Sequence, residues 1–179
     1  NIDPAHHLAF ASILVAREVP EVGRDTLWAS IYAAYEALDD DIKSYLGTLS
    51  AIHDMGYFRN TFSAGETDGQ KLLEGMNRFG CAIHPVIKKH PASGRKFIYE
   101  NKSFTQRIVG LAARESRNWL NWLLDHVNRP EYQVRFRWQN CSVAMWDNHC
   151  TQHYAIADYI PAYRCMNRVT VVKDRRMHA

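Results

Sequence analysis

The sequence predicts a mainly β protein in which a few helices cover a sandwich-like or barrel-like core. Three observations favour this class. Short runs rich in β-branched and aromatic residues recur along the 179 residues, turn residues separate these runs, and only one long amphipathic helix stands out. Neither an internal repeat nor a low-complexity segment divides the chain, so we expect one domain over residues 1–179.

The first half of the chain reads as strands, two short helices and a long loop. Residues 8–18 form an apolar run of strand length, and Asp39 stands where a helix N-cap belongs. Residues 56–69 are polar with little periodicity, and loops of this length are often active-site lids. The predicted elements are a strand at 8–18, a short strand or bend at 25–28, helices at 31–38 and 39–49, a loop at 56–69 and a helix at 71–79.

The second half contains a hairpin, the best helix and three more strands. Apolar residues recur every three or four positions between residues 114 and 127, and Pro130 excludes further helix. Pro and Gly between residues 91 and 94 mark a turn between two strands. The predicted elements are a hairpin of strands 82–88 and 96–100, a helix at 114–127, and strands at 132–138, 142–146 and 169–173.

Charge and hydropathy exclude two classes of partner. The chain has 22 basic and 19 acidic residues, a balance that does not favour nucleic acid, because phosphate binding needs clustered Lys and Arg. It contains neither an apolar stretch of 18 residues nor a signal peptide, so we expect no membrane span. Its four cysteines form no CxxC pair, which indicates reduced thiols in a cytoplasmic protein.

The chemically richest stretch is residues 146–168, WDNHCTQHYAIADYIPAYRCMNR. From a strand end, His153 can offer a neutral imidazole to a metal ion. Arg164 can hold a carboxylate through two hydrogen bonds, and Arg168, four residues later, returns to the same face in a helix or a strand. Two guanidinium groups in one cavity repel each other unless anions separate them, so the pattern indicates two anionic ligands. A structural histidine and two surface arginines are the alternative.

This stretch resembles the closing motif of the taurine and 2,4-dichlorophenoxyacetate dioxygenases, most closely the taurine dioxygenases. Upstream matches follow in the same order. Residues 23–28, GRDTLW, resemble the family's GGDTLW element with Arg24 in place of the second glycine, and residues 33–38, AAYEAL, resemble one of its helices. Residues 84–94 and 104–109 match as well, so the resemblance covers nearly the whole chain.

The resemblance implies a fold and a set of site residues. The fold would be a double-stranded β-helix, or jelly roll, with flanking helices, and the chain would be the C-terminal two-thirds of a dioxygenase. A His-x-Asp pair and a distal histidine would hold iron(II), and His153 matches the distal histidine. Thr26 and Arg164 match the residues that bind the far carboxylate of 2-oxoglutarate. Arg168 matches the arginine that binds the taurine sulfonate, and Phe104 matches an aromatic wall of the substrate pocket.

The implied reaction uses iron(II), 2-oxoglutarate and O2 to hydroxylate a small anionic substrate. With taurine or another alkylsulfonate, hydroxylation beside sulfur releases sulfite and an aldehyde, while 2-oxoglutarate becomes succinate and carbon dioxide. Sulfate esters and phenoxyalkanoates are alternatives, because an arginine fits any of these anions. Members of the family often pair, so the resemblance also implies a homo-oligomer.

The His-x-Asp pair is missing from the 179 residues. We expect that the chain begins just after the pair, so that the jelly roll is incomplete at its N-terminus. In the other interpretation residues 1–3 replace the pair, and Asp3 is the only remaining candidate ligand. The protein would then be a non-catalytic jelly roll that binds 2-oxoglutarate.

Several other residues could be mistaken for functional ones. His149 lies four residues before His153, as in a helical metal pair, but we expect it only near the mouth of the site. His90 is expected to be structural, and Trp138 and Trp146 are expected to belong to the core.

Overall fold

A computed structural model describes residues 9–54 and 81–172 of the chain. The described residues form eleven β-strands, three α-helices and a short 3-10 helix at Pro130–Tyr132. The strands are β1 Ala11–Glu18, β2 Thr26–Ser30, β3 Ser50–His53, β4 Ala82–Pro85, β5 Ile87–Lys89, β6 Lys96–Ile98, β7 Thr105–Ile108, β8 Gln133–Phe136, β9 Val143–Asp147, β10 Thr151–Ala155 and β11 Cys165–Val171. The α-helices are α1 Ile31–Glu36, α2 Asp40–Leu46 and α3 Ala113–Val127.

Two antiparallel sheets share one apolar interior. Sheet 1 has the order β11-β1-β9, and sheet 2 has the order β10-β2-β8. Side chains alternate along a strand, and Ser12 of β1 and Thr26 of β2 are buried while the residue that follows each of them is half-buried. Three indole rings fill much of this interior, and we call them the tryptophan cluster: Trp28, Trp138 and Trp146. The rings of Trp28 and Trp146 lie 5.4 Å apart at their centroids.

The helices cover a second core on sheet 3 and a hairpin. Sheet 3 has the order β4-β3-β7, and β5 pairs with β6 in a separate two-stranded sheet. α1 packs against β6 and α3 packs against β7. Fully buried aliphatic side chains from these elements, Ile98 of β6, Ile108 of β7 and Leu123 of α3, belong to one cluster with Ala34 of α1. This second core supports the far side of sheet 2.

The predicted fold class is confirmed: the described residues are mostly antiparallel β with flanking helices. The helix predicted at 114–127 forms as α3. The strands predicted at 8–18 and 132–138 form as β1 and β8 with shorter limits, and the strand predicted at 142–146 forms as β9, shifted by one residue.

The prediction of one continuous strand at residues 82–88 is wrong. The chain changes partner at Val86, whose N–H donates to the carbonyl of Leu49 and whose carbonyl accepts from the N–H of Tyr99. β4 therefore pairs with β3, and β5 pairs with β6. Pro85 lies at this switch, where the absence of an N–H removes one bond from a continuing ladder.

Two strands of sheet 3 were not predicted. β3 and β7 have four residues each, and β7 reads TQRI, with its two middle residues exposed. Such short segments carry too few apolar residues for periodicity to show, so only their mutual pairing defines them. The helix predicted at 39–49 forms as α2 but ends at Leu46, and the chain enters β3 at Ser50.

Three predictions lie outside the described residues: Asp3 as a metal ligand, the loop at 56–69 and the helix at 71–79. Among the helices that the structure describes, none has the length and apolar character needed to cross a membrane.

Candidate functional site

His153 lies on the inner face of sheet 2. The sequence predicted a strand end, but His153 is the middle residue of β10, directly opposite Trp28 of β2. Its ring lies 4.9 Å from the ring of Trp146, although part of the side chain remains open to solvent. Burial and the positive charge of Arg168 lower the pKa of His153. The imidazole is therefore neutral at neutral pH, which is the form that ligates a metal ion.

Arg168 faces His153 from sheet 1. It lies on β11 opposite Leu14, and its Cζ atom is 5.8 Å from the centre of the Trp146 ring. Its Nη2 donates to the hydroxyl of Ser12 at 2.9 Å. In the described part of the chain Arg168 has no carboxylate within ion-pair distance. The guanidinium is thus held by a neutral partner and keeps its charge available for an anion.

Thr26 lies beside His153 on the inner face of sheet 2. It pairs with Ala155 of β10, two residues beyond His153, and it is buried. The Nε1 of Trp138 donates to its Oγ1 at 2.9 Å. Because the indole N–H occupies one lone pair, the Thr26 hydroxyl proton is left to be donated to an acceptor in the interior.

Arg164 stands one residue before β11. Its Cζ atom is 5.5 Å from the centre of the Tyr159 ring, and its Nε is buried without a hydrogen-bond partner in the described residues. Like Arg168, it has no carboxylate partner there. Within residues 9–54 and 81–172, therefore, both predicted arginines lack a counter-charge.

Unpaired N–H donors are concentrated around this interior. Among the described residues, six buried side-chain polar atoms lack a hydrogen-bond partner, and four of them are donors on arginine or tryptophan. They are Nη1 of Arg24, Nε1 of Trp28, Nε1 of Trp146 and Nε of Arg164. A buried N–H without an acceptor costs about 1–3 kcal/mol. A ligand rich in anionic oxygen atoms would remove this cost, so the donor set fits a carboxylate.

Phe104 belongs to neither of the two sheets that carry His153, Arg168 and Thr26. It is half-buried in the turn before β7 of sheet 3, where its carbonyl accepts from the N–H of Asp54. Its role as a pocket wall stays a prediction. The structure thus brings His153 and Arg168 to one interior with Thr26. It places Arg164 directly before β11 and Phe104 directly before β7.

A second group of potential metal ligands is formed by His90, Asp147 and His149, whose ligand atoms all lie within 4.8 Å of one another. Hydrogen bonds already connect the three. His90 Nε2 lies 2.8 Å from Asp147 Oδ2, and the backbone N–H of His149 donates to Asp147 Oδ1 at 2.7 Å. Burial alone would raise the pKa of Asp147, but these bonds from His149 and His90 outweigh it and lower the pKa.

The tautomer of His90 argues against metal binding at this group. Its Nδ1 accepts from the backbone N–H groups of Ala92 and Ser93, each at 3.1 Å. The ring proton is therefore on Nε2 and is donated to Asp147, so Nε2 has no lone pair for a metal ion. The expectation that His90 is structural agrees with this geometry, which ties the β5–β6 turn to the end of β9.

Sequence reasoning missed the part that Trp138 and Arg24 play around Thr26. Trp138 is fully buried, as expected of a core residue, yet it also orients the Thr26 hydroxyl. The Nε of Arg24 donates to the carbonyl of Trp138 at 2.7 Å. The available signal was Arg24 itself, an arginine in a motif position where the resemblance expects glycine.

Two curated relatives match most of the chain. The alpha-ketoglutarate-dependent sulfate ester dioxygenase of Pseudomonas putida is 36% identical over 168 residues, which cover 92% of this chain and 55% of that protein. The alpha-ketoglutarate-dependent sulfonate dioxygenase of Saccharomyces cerevisiae is 32% identical over 162 residues, covering 88% of this chain and 37% of that protein. The chain thus spans about half the length, or less, of these relatives.

A solved structure supports the same relationship. The crystal structure of a putative alpha-ketoglutarate-dependent taurine dioxygenase from Burkholderia xenovorans superposes with a TM-score of 0.81 at 34% identity, covering 97% of this chain and 58% of that one. The family model described as taurine catabolism dioxygenase TauD, TfdA family, matches residues 5–170. With the facing antiparallel sheets and a match over nearly its whole length, the chain belongs to the TauD, TfdA family of taurine catabolism dioxygenases.

Proposed function

We propose that the protein carrying this chain is an iron(II)- and 2-oxoglutarate-dependent dioxygenase that hydroxylates a small anionic substrate, preferentially taurine or another alkylsulfonate. The observation that carries the proposal is the interior between sheets 1 and 2. There a neutral histidine lies close to an arginine, and within the described residues this arginine has no counter-charge and the buried N–H donors around it have no acceptors. Two anions, one the co-substrate and one the substrate, account for this arrangement.

His153 is the residue of the described chain that would hold iron(II). Its lowered pKa keeps a lone pair on the imidazole at neutral pH. The other ligands would come from a His-x-Asp pair, which these 179 residues lack, or from Asp3. When bound, iron and 2-oxoglutarate supply the oxygen-activating chemistry, which amino acid side chains lack.

Thr26 and Arg164 would bind the far carboxylate of 2-oxoglutarate. The Thr26 hydroxyl is oriented by Trp138, and the Arg164 guanidinium has a buried Nε that lacks an acceptor in the described residues. A carboxylate between them would accept from both groups in a site with little competing water, where charge-assisted hydrogen bonds are strongest.

Arg168 would orient the substrate. Its guanidinium is fixed by Ser12 on one side and lies over Trp146, whose ring also contacts His153. An oxyanion bound by Arg168 therefore places the adjoining carbon atoms near His153, and positioning of this kind is the protein's main contribution to such a reaction.

A sulfate ester is the second candidate substrate, because the Pseudomonas putida relative is named for sulfate esters. Sulfonates and sulfate esters both present three oxygen atoms to a guanidinium, so Arg168 fits both. We also propose a cytoplasmic location, since all four cysteines lie in the described residues and are free thiols.

Anaerobic titration of iron(II) into the full-length protein with 2-oxoglutarate tests the proposal. We expect the weak visible charge-transfer band of the iron–2-oxoglutarate chelate, and we expect taurine to perturb it. Octyl sulfate and phenoxyacetate serve as competing substrates of the other two classes. Binding of 2-oxoglutarate without the band would contradict the dioxygenase and indicate a non-catalytic binding protein. A response to octyl sulfate alone would assign the sulfate ester class.

A further inference from the structure

Arg24 is a buried cation at the edge of the candidate site. Arg24 is only 5% exposed. Its Nε donates to the carbonyl of Trp138, and its Nη1 is buried without a partner in the described residues. The ion pairs of this part of the chain do not include Arg24. Burying a charge without a partner is unfavourable, so an anionic acceptor at the unpaired Nη1 would stabilise this guanidinium.

The backbone of Arg24 adds a second cost. Its φ angle is 83°, in the left-handed region that favours glycine, and the preceding Gly23 has a φ of 78°. The Arg24 N–H donates to the carboxylate of Asp158 at 2.9 Å, which holds the segment in this conformation. A side chain kept in a strained backbone position is a reason to look for a function there.

Trp138 places Arg24 at the Thr26 end of the site. Arg24 lies just before β2, and it shares this partner with Thr26, since Trp138 accepts from Arg24 through its carbonyl and donates to Thr26 through Nε1. Arg168, in contrast, lies beside Trp146 and His153.

We propose that Arg24 is a second guanidinium for the far carboxylate of the 2-oxo acid co-substrate, acting beside Thr26 and Arg164. This inference rests on the proposed function of the site. It assigns to the chain a binding residue that a glycine at this position could not supply, and it predicts strong selectivity for 2-oxo acids that carry a second carboxylate.

Binding of two 2-oxo acids tests the role of Arg24. Isothermal titration calorimetry on the full-length, manganese-loaded protein compares 2-oxoglutarate with 2-oxobutyrate, which lacks the far carboxylate. We expect Arg24→Gln to weaken 2-oxoglutarate at least about tenfold, the loss of one charge-assisted hydrogen bond, and to leave 2-oxobutyrate unchanged. Arg24→Gly removes the same charge without backbone strain and is expected to reproduce the loss.

Two further variants make the outcome decisive. Arg137→Gln removes an exposed guanidinium that bonds to the carbonyl of Glu21, and it is expected to change neither affinity. If Arg164→Gln weakens 2-oxoglutarate and Arg24→Gln does not, the role of Arg24 is refuted while the proposed function stands. An equal loss for both acids in Arg24→Gln would mean that Arg24 acts only through the fold. If neither Arg24→Gln nor Arg164→Gln changes 2-oxoglutarate binding, the proposed co-substrate site itself fails.

Discussion

At the scale of single residues, Arg168 and Arg164 have different surroundings although they are only four positions apart. Arg168 bonds to Ser12 beside the His153 ring system, whereas Arg164 lies against Tyr159 before β11 begins. In the proposed function, these different neighbours correspond to a substrate role for Arg168 and a co-substrate role for Arg164. This separation predicts that the two residues can be altered independently.

Replacement of Arg168 tests that independence. We expect Arg168→Gln to retain the iron–2-oxoglutarate band and to lose the response to taurine, with KM for taurine raised about tenfold to a hundredfold. Arg168→Lys should recover part of the affinity, because lysine restores the charge but not the planar pair of donors. Loss of the chelate band in Arg168→Gln would contradict the assignment to substrate.

Arg24 also has a predicted effect on stability. Without ligands, Arg24→Gly is expected to raise the melting temperature, because it removes left-handed strain of about 1–2 kcal/mol and a buried charge. Cys141→Gly is the matched control, since Cys141 has a φ of 68° but is exposed and uncharged. Differential scanning calorimetry should show the larger increase for Arg24→Gly. A decrease would mean that the bond to Trp138 outweighs both costs.

At the scale of elements, the sequence predicted those helices and strands that a local residue pattern determines. The 3.6-residue periodicity of α3 and the alternation of β8 are properties of single segments, and both were predicted. β3 and β7 pair with each other although more than 50 positions of chain separate them, and the change of partner at Val86 depends on Leu49 and Tyr99. Pairing over such distances leaves little trace in local composition.

The site residues also fall into those that the sequence could predict and those that it could not. His153 and the two arginines lie in one continuous stretch, so resemblance to a known motif could identify them. The orientation of Thr26 by Trp138 joins residues more than a hundred positions apart, and the unpaired donor of Arg24 appears only when its neighbours are known. Neither is visible from spacing.

Ser116 links α3 to sheet 3 and provides a test of that contact. Its hydroxyl accepts from the backbone N–H of Ile108 at 2.8 Å in a fully buried position. Ser116→Ala leaves this N–H unsatisfied and is expected to lower the free energy of unfolding by about 1–3 kcal/mol. Ser44→Ala, at an exposed position of α2, should have little effect. Equal results in urea denaturation would show that the contact does not stabilise the fold.

At the scale of the whole molecule, two buried titratable groups limit stability from opposite sides. Burial raises the pKa of Glu100 to about 8, and burial, with the charges of His84 and Lys88, lowers the pKa of His53 to about 4. Each group stays neutral in the fold at a pH where the unfolded chain would charge it. Stability should therefore be greatest between these limits.

The alkaline limit can be removed by one substitution. Between pH 4.5 and 8 the unfolded state ionises Glu100 while the fold keeps it protonated, so its contribution to stability falls as pH rises. The melting temperature of Glu100→Gln should thus exceed that of the unaltered protein by a margin that grows as pH rises from 5 to 8, with no difference below pH 4.5. The loss of stability on the acid side, due to His53 between pH 6.5 and 4, should be unchanged. A constant difference at all pH values would contradict the burial of Glu100 as an acid.

The position of the tryptophan cluster means that tryptophan fluorescence should report metal binding at His153. Of the five tryptophans, Trp146 lies 4.9 Å from the His153 ring and contacts Trp28, whereas Trp119 and Trp122 are on α3 and pack against each other. A paramagnetic ion on His153 would quench the first pair and spare the second. Tryptophan fluorescence should decrease partly as iron(II) is added, and this decrease should be much smaller in Trp146→Phe. Occupancy of the site could then be followed in dilute protein, before any turnover begins.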